Sequence, residues 1–145
     1  MIGAIVRFHA LSRAERGRTV EAALCLLAVR VAFGLLPLPR ALRLFRIAQG
    51  EAGAGRVAAP EACEIGRAIA RAARHVPFRA VCLQQAFAAL LMLRRRGLAA
   101  TVHLGLAREH GSPSLQAHAW SRCGEVPVTG VPAARDFVPI AAFAA

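Results

Sequence analysis

The chain has 145 residues, 57% of them hydrophobic, and a formal net charge of +11 carried entirely by arginine, because lysine is absent. A globule of this length buries roughly two thirds of the surface its unfolded chain exposes, so a core forms without disulfide or metal staples. Strong basicity points to nucleic acid or an acidic surface, but the arginines are scattered among apolar residues, without aromatic interleaving and without any tyrosine. That pattern argues against a nucleic-acid reader and for a positive groove that takes an acidic or extended peptide.

A single domain is expected over residues 1–145, with an apolar helical part over 1–60 and an α+β core over 61–145. Arg13, Glu15, Arg16 and Arg18 precede the first apolar run, which is not the layout of a secretory signal. The run itself, AALCLLAVRVAFGLLPL from Ala22 to Leu38, carries Arg30 near its middle and Pro37 near its end, and is too short to span a bilayer cleanly. A cytoplasmic chain is expected, with Cys25, Cys63, Cys82 and Cys123 as reduced thiols. No pair of these has the spacing of a zinc site or a redox dithiol, three of them are expected simply to pack, and no cofactor or metal is implied.

Thr19 reads as an N-cap for a helix running to about Arg46, broken at Pro37 and Pro39 and resumed by RALRLFRIA. GEAGAGRVAAP, residues 50–60, is a connection. EACEIGRAIARAAR, residues 61–74, sets Cys63, Ile65, Ile69 and Ala73 at helical spacing. After Pro77, Leu83, Ala86, Phe87, Leu90 and Leu91 form the stripe of a core helix that begins at Cys82 and stops at Gly97, with Arg94, Arg95 and Arg96 in its last turn.

The period then changes from helical to alternating. TVHLGLAR (101–108) and LQAHAWSR (115–122) read as two strands joined by the turn EHGSPS, with Gln116, His118 and Trp120 on one face. EVPVTG reads as a third strand, at a sheet edge because of Pro127. The expected fold is α+β: N-terminal helices, then a helix headed by Cys82 packed on a small antiparallel sheet.

Cysteine at a helix start followed by histidine on a strand is an order that suits nucleophilic thiol chemistry. The helix end offers free N–H groups and partial positive charge, and an imidazole can hold the thiolate as an ion pair. His118 is the base this order selects, and Trp120 on the same face can shield the pair from water. His9, His75, His103 and His110 read more simply as solvated or structural side chains, with His75 placed to cap the helix it follows.

The stretch VCLQQAFAALLMLRRRGLAATVHLGLAREHGSPSLQAHAWSRCGEVPVTG resembles the transglutaminase-like cysteine peptidases of lasso peptide biosynthesis. In that family a Cys-Leu pair opens a helix ending in L-x-R-R-R-G, then come a strand with (I/L)-G and the motif A-H-A-W. The apolar LLPLPRALR region also resembles it. The resemblance implies a transglutaminase-like or papain-like core, and removal of the leader peptide from a ribosomally made precursor. It implies a separate small leader-binding protein and an ATP-dependent lasso cyclase as partners. Cys82 corresponds to the nucleophile and His118 to the general base.

The family places an aspartate about a dozen residues after the histidine, where this chain reads VTGVP with Gly130. The sole carboxylates after His118 are Glu125 and Asp136. Asp136 is expected as the third member, with a dyad oriented by a backbone carbonyl as the rival. Gln84 and Gln85 are oxyanion candidates by position only. A non-catalytic interaction protein of the same fold, or a thiol amidase or acyltransferase with another substrate, remains open. The apolar excess of residues 20–47 is expected to form an exposed face covered by the leader or its binding protein.

Overall fold

A computed structural model describes residues 10–145; His9 lies outside the described residues. Helix α1 (Arg13–Leu35) starts six residues before Thr19 because Ser12-Arg13-Ala14-Glu15 is a capping box. The Ser12 hydroxyl accepts the Glu15 N–H at 3.2 Å and the Glu15 carboxylate accepts the Ser12 N–H at 3.0 Å. Thr19 is instead a buried mid-helix residue whose hydroxyl donates to the Glu15 carbonyl and accepts from Arg71. Pro37 ends α1, and the short α2 (Leu38–Leu44) follows with Pro39 in its first turn, where no backbone donor is lost.

Helix α3 (Ala59–Ala73) buries Ala62, Ile65, Ala68, Ile69 and Ala72, which leaves Cys63 exposed rather than in the core stripe. A methyl group at Gly66 would lie 2.5 Å from the Val128 carbonyl oxygen, so only glycine lets α3 approach the sheet this closely. Helix α4 (Cys82–Arg95) is buried without a break from Ala86 to Leu93 and is the central element of the core. It packs on α1 and α3 on one side and on the sheet on the other. Gly97, with φ +65°, ends it as the sequence predicts.

The sheet is antiparallel, in the order β1-β5-β2-β3-β4. Strands β2 (Thr101–Arg108) and β3 (Leu115–Cys123) form the expected hairpin, and β4 (Val126–Thr129), with Pro127, is an edge. Two strands go beyond the expectation. The two-residue β1 (Ala48–Gln49) lies in the segment preceding the loop, and β5 (Val138–Ala144) pairs along the free side of β2. VPIAAFA shows no apolar-polar alternation, which is why β5 is invisible to a period-two reading. Among the described residues no helix is long and apolar enough to cross a membrane.

One charge cluster joins the helices. Glu21 on α1 accepts from Arg96 with both carboxylate oxygens, at 3.0 and 2.7 Å, and Arg95 lies 3.5 Å away. The hydrogen bond from Arg96 holds the Glu21 carboxyl below its ordinary value of 4.5. A depressed carboxylate contributes stability above its unfolded pKa and loses it as pH falls through the folded one. Glu21→Gln should therefore cost about 2 kcal/mol at pH 7. The gap from the parent protein should narrow in melts recorded below about pH 4. A gap that stays constant with pH would mean the pair contributes no charge-dependent stability.

Candidate active site

Cys82 is the first residue of α4, half-buried, with Val81 as the N-cap. Its side chain packs against the edge of the core together with Leu83. The first helical hydrogen bond runs from the Gln85 N–H to the Val81 carbonyl. The N–H groups of Cys82, Leu83 and Gln84 thus have no acceptor among the described residues, so this end of the helix favours negative charge. The two glutamines tie down the approach to the cysteine. Gln84 Oε1 accepts the Val81 N–H at 3.2 Å, and Gln85 Nε2 donates to the Ala80 carbonyl at 2.8 Å. Gln84 is buried, so its amide supports the turn rather than standing free in solvent.

His118 sits near the start of β3, opposite Gly105 of β2. Alternation turns Ala119, Ser121 and Cys123 onto the helical side and leaves His118 and Trp120 on the other. The imidazole is held on three sides. Its ring stacks 6.0 Å from that of Trp120 and meets the Phe137 ring at 5.1 Å, while Nε2 lies 2.8 Å from the Gly130 carbonyl oxygen. A carbonyl oxygen can only accept, so Nε2 carries a proton, and in the neutral imidazole Nδ1 is then the nitrogen with the lone pair. Gly105 makes the stack possible, because a Cβ there would come within 2.8 Å of the indole and 3.0 Å of Phe137.

No hydrogen bond joins the Cys82 sulfur to His118: α4 packs on one face of the sheet and His118 points from the other face of β3, so the structure does not pair the two side chains. Residue 130 lies against the imidazole, since a Cβ at Gly130 would be 3.1 Å from His118 Nε2. A backbone oxygen from this position thus meets the ring.

A family model described as the transglutaminase-like superfamily matches residues 23–142. The chain belongs to the transglutaminase-like superfamily. No curated protein and no solved structure matches it significantly. The superfamily match spans both α4 and β3, and it includes Asp136 and Gly130.

Within this transglutaminase-like chain the structure does not bring Asp136 to His118. Asp136 ends the 3-10 turn Pro132–Asp136, is exposed, and makes no hydrogen bond or ion pair among the described residues. The next residue, Phe137, is the one that turns inward onto the imidazole. Glu125 is fully exposed at the β3–β4 turn and pairs loosely with Arg122 at 3.9 Å. Of the carboxylates after His118, neither touches it, and the contact belongs to the Gly130 carbonyl. Sequence reasoning allowed a carbonyl but could not name it; the signal was the glycine at the spacing where an aspartate is expected.

The remaining histidines have structural partners or solvent. His75 Nδ1 is 2.7 Å from the Arg71 carbonyl at the end of α3, the capping role expected of it. His103 is 2.9 Å from Glu51 and stacks on the other side of Trp120 at 5.5 Å, and His110 is exposed in its turn. Cys123 is wholly buried and Cys25 half-buried. Burial pushes the Cys25 thiol up, and the Glu21 carboxylate adds to this. Cys63 is exposed on α3. No group of three His, Cys, Asp or Glu side chains is placed to hold a metal ion among the described residues.

Proposed function

We propose that this transglutaminase-like chain is a cysteine peptidase that removes the leader from a ribosomally made lasso peptide precursor, with Cys82 as nucleophile and His118 as general base. The observation that carries the reading is the fixed imidazole: Gly130 holds Nε2–H, which leaves Nδ1 available as a base. In the proposed reaction the Cys82 sulfur attacks the carbonyl carbon of the scissile amide, and its proton passes to Nδ1 of His118. The oxyanion is stabilised by N–H groups at the start of α4. The imidazolium protonates the leaving amine, and water, activated by the same nitrogen, hydrolyses the thioester. The reaction requires sulfur and imidazole to come together when substrate binds, because no contact between them is present in the free chain. A small leader-binding protein delivers the precursor, and an ATP-dependent cyclase closes the ring afterwards.

One observation favours a second reading. A carbonyl supplies no negative charge to stabilise an imidazolium, so a non-catalytic interaction protein of the same fold has Gly130 on its side. Thiol labelling separates the two without knowledge of the precursor. Because Cys63 is exposed, the experiment uses Cys63→Ser, with iodoacetamide at pH 6 and mass-spectrometric site assignment. Cys82 should be alkylated faster than an ordinary thiol, and His118→Ala in the same background should remove the excess. Equal rates with and without His118 would favour the interaction protein.

A further inference from the structure

Helix α1 is apolar on two sides, which is the composition of a helix surrounded by protein. Its inner side is covered: Ala22, Leu26, Val29 and Ala32 are buried in the core. Its outer side is open. Val20, Leu24, Leu27, Val31 and Leu35 are all exposed, Leu24 by 62% and Leu35 by 78%. From Val20 to Val31 these residues recur at alternating steps of four and three, the spacing of a seam that takes the side chains of a second helix. The seam lies in a groove. Leu44 and Phe45 beside α2 wall it at one end, while Leu91 and Arg95 of α4 wall it at the other, with Leu24 and Ala28 common to both stretches.

The charges beside the seam identify the occupant. Arg13 stands at its head, and Arg16 and Arg30 lie along one flank. None of the three has a carboxylate partner among the described residues, and Arg30 instead covers the Phe78 ring at 5.6 Å. On the opposite flank the one acid, Glu21, is taken by Arg95 and Arg96. Next to the groove α2 adds the exposed Arg40 and Arg43. A second copy of this chain would set arginines against arginines with no carboxylate to meet them. A bilayer offers a flat face, whereas this surface is concave and walled. We propose that the groove along α1 docks an amphipathic helix of a partner protein, with leucine-type residues on its seam and glutamate or aspartate on its flanks. This holds independently of the peptidase reading.

The test uses the full chain and a labelled three-heptad peptide with leucine at the two seam positions of each heptad and glutamate at the flanking ones, which keep it from pairing with itself. A peptide with lysine at those flanks is the control. Fluorescence anisotropy should show binding of the glutamate peptide only, weakening as salt rises. Leu24→Gln combined with Val31→Gln should reduce affinity at least ~10-fold, and Arg16→Glu with Arg30→Glu should reduce it while flattening the salt dependence. All four side chains lie outside the buried core, so melting temperatures should stay close to the parent value, which separates loss of docking from loss of fold.

Binding of the lysine peptide equal to that of the glutamate peptide would overturn the proposal, as would indifference to both double variants. Sedimentation showing a dimer that Leu24→Gln with Val31→Gln dissociates would assign the groove to a second copy instead. Salt-resistant partition onto vesicles of phosphatidylcholine and phosphatidylglycerol would assign it to a membrane surface.

Discussion

On the proposed peptidase reading Cys82→Ala should abolish leader removal, with a loss of at least ~10³-fold, and His118→Ala should cost about as much, because a nucleophile and its base act as one unit. Both substitutions should leave the melting temperature nearly unchanged. Cys82 is only half-buried at the first position of α4 and its own side chain makes no hydrogen bond, while the helix is held by the Gln84 and Gln85 amides and by its buried run from Ala86 to Leu93. The measurement is conversion of a synthetic precursor to leader and core, followed by mass spectrometry in the presence of the leader-binding protein. The other thiols serve as controls with different physical reasons to be silent. Cys63→Ala changes an exposed side chain and should be neutral in rate and stability. Cys123→Ala empties a fully buried site and should cost about 1–2 kcal/mol without affecting cleavage by the molecules that remain folded. Cleavage by Cys82→Ala at the parent rate would end the peptidase assignment, whatever the other variants do.

Gly130→Ala is expected to be the most damaging substitution outside that pair. The residue has φ +68°, a conformation that strains any residue with a Cβ. The added methyl would lie 2.7 Å from the Ala119 carbonyl oxygen and 3.1 Å from His118 Nε2. Either the backbone moves, taking the carbonyl away from Nε2, or the imidazole is displaced from its place between Trp120 and Phe137. Both routes disturb the tautomer and aim of the proposed base, so the rate of leader removal should fall at least ~100-fold on that reading. Stability should fall by about 1–3 kcal/mol as well. Asp136→Ala is the informative comparison: an exposed, unpaired carboxylate predicts a rate within about threefold of the parent, as for any surface change that leaves the site alone. A loss for Asp136→Ala approaching that of Gly130→Ala would restore a carboxylate as third member and displace the carbonyl-held base.

Local pattern was enough to determine a good deal of this protein. Alternation over 101–108 and 115–122 specified the hairpin and the shared face of His118 and Trp120, because in a strand the side chain's direction is set by its parity alone. Gly97 marked the end of α4, and Pro37 the end of α1, because these residues forbid or permit particular backbone angles irrespective of what surrounds them. The Ser12–Glu15 box is equally local, and its two reciprocal hydrogen bonds start the helix ahead of Thr19.

What packed against what was decided only by the tertiary structure. Cys63 shares helical spacing with Ile65 and Ile69, yet the core took Ala62 and left Cys63 outside, because the position of the packed neighbours selects which side of a small-residue helix is covered. VPIAAFA became β5 because β2 had an unpaired edge to offer, a non-local hydrogen-bonding opportunity that no period in the segment announces. The same holds at the candidate site. A carboxylate can be looked for by residue type, but every residue has a carbonyl, and only the approach of the chain at Gly130 to β3 determines which one meets His118.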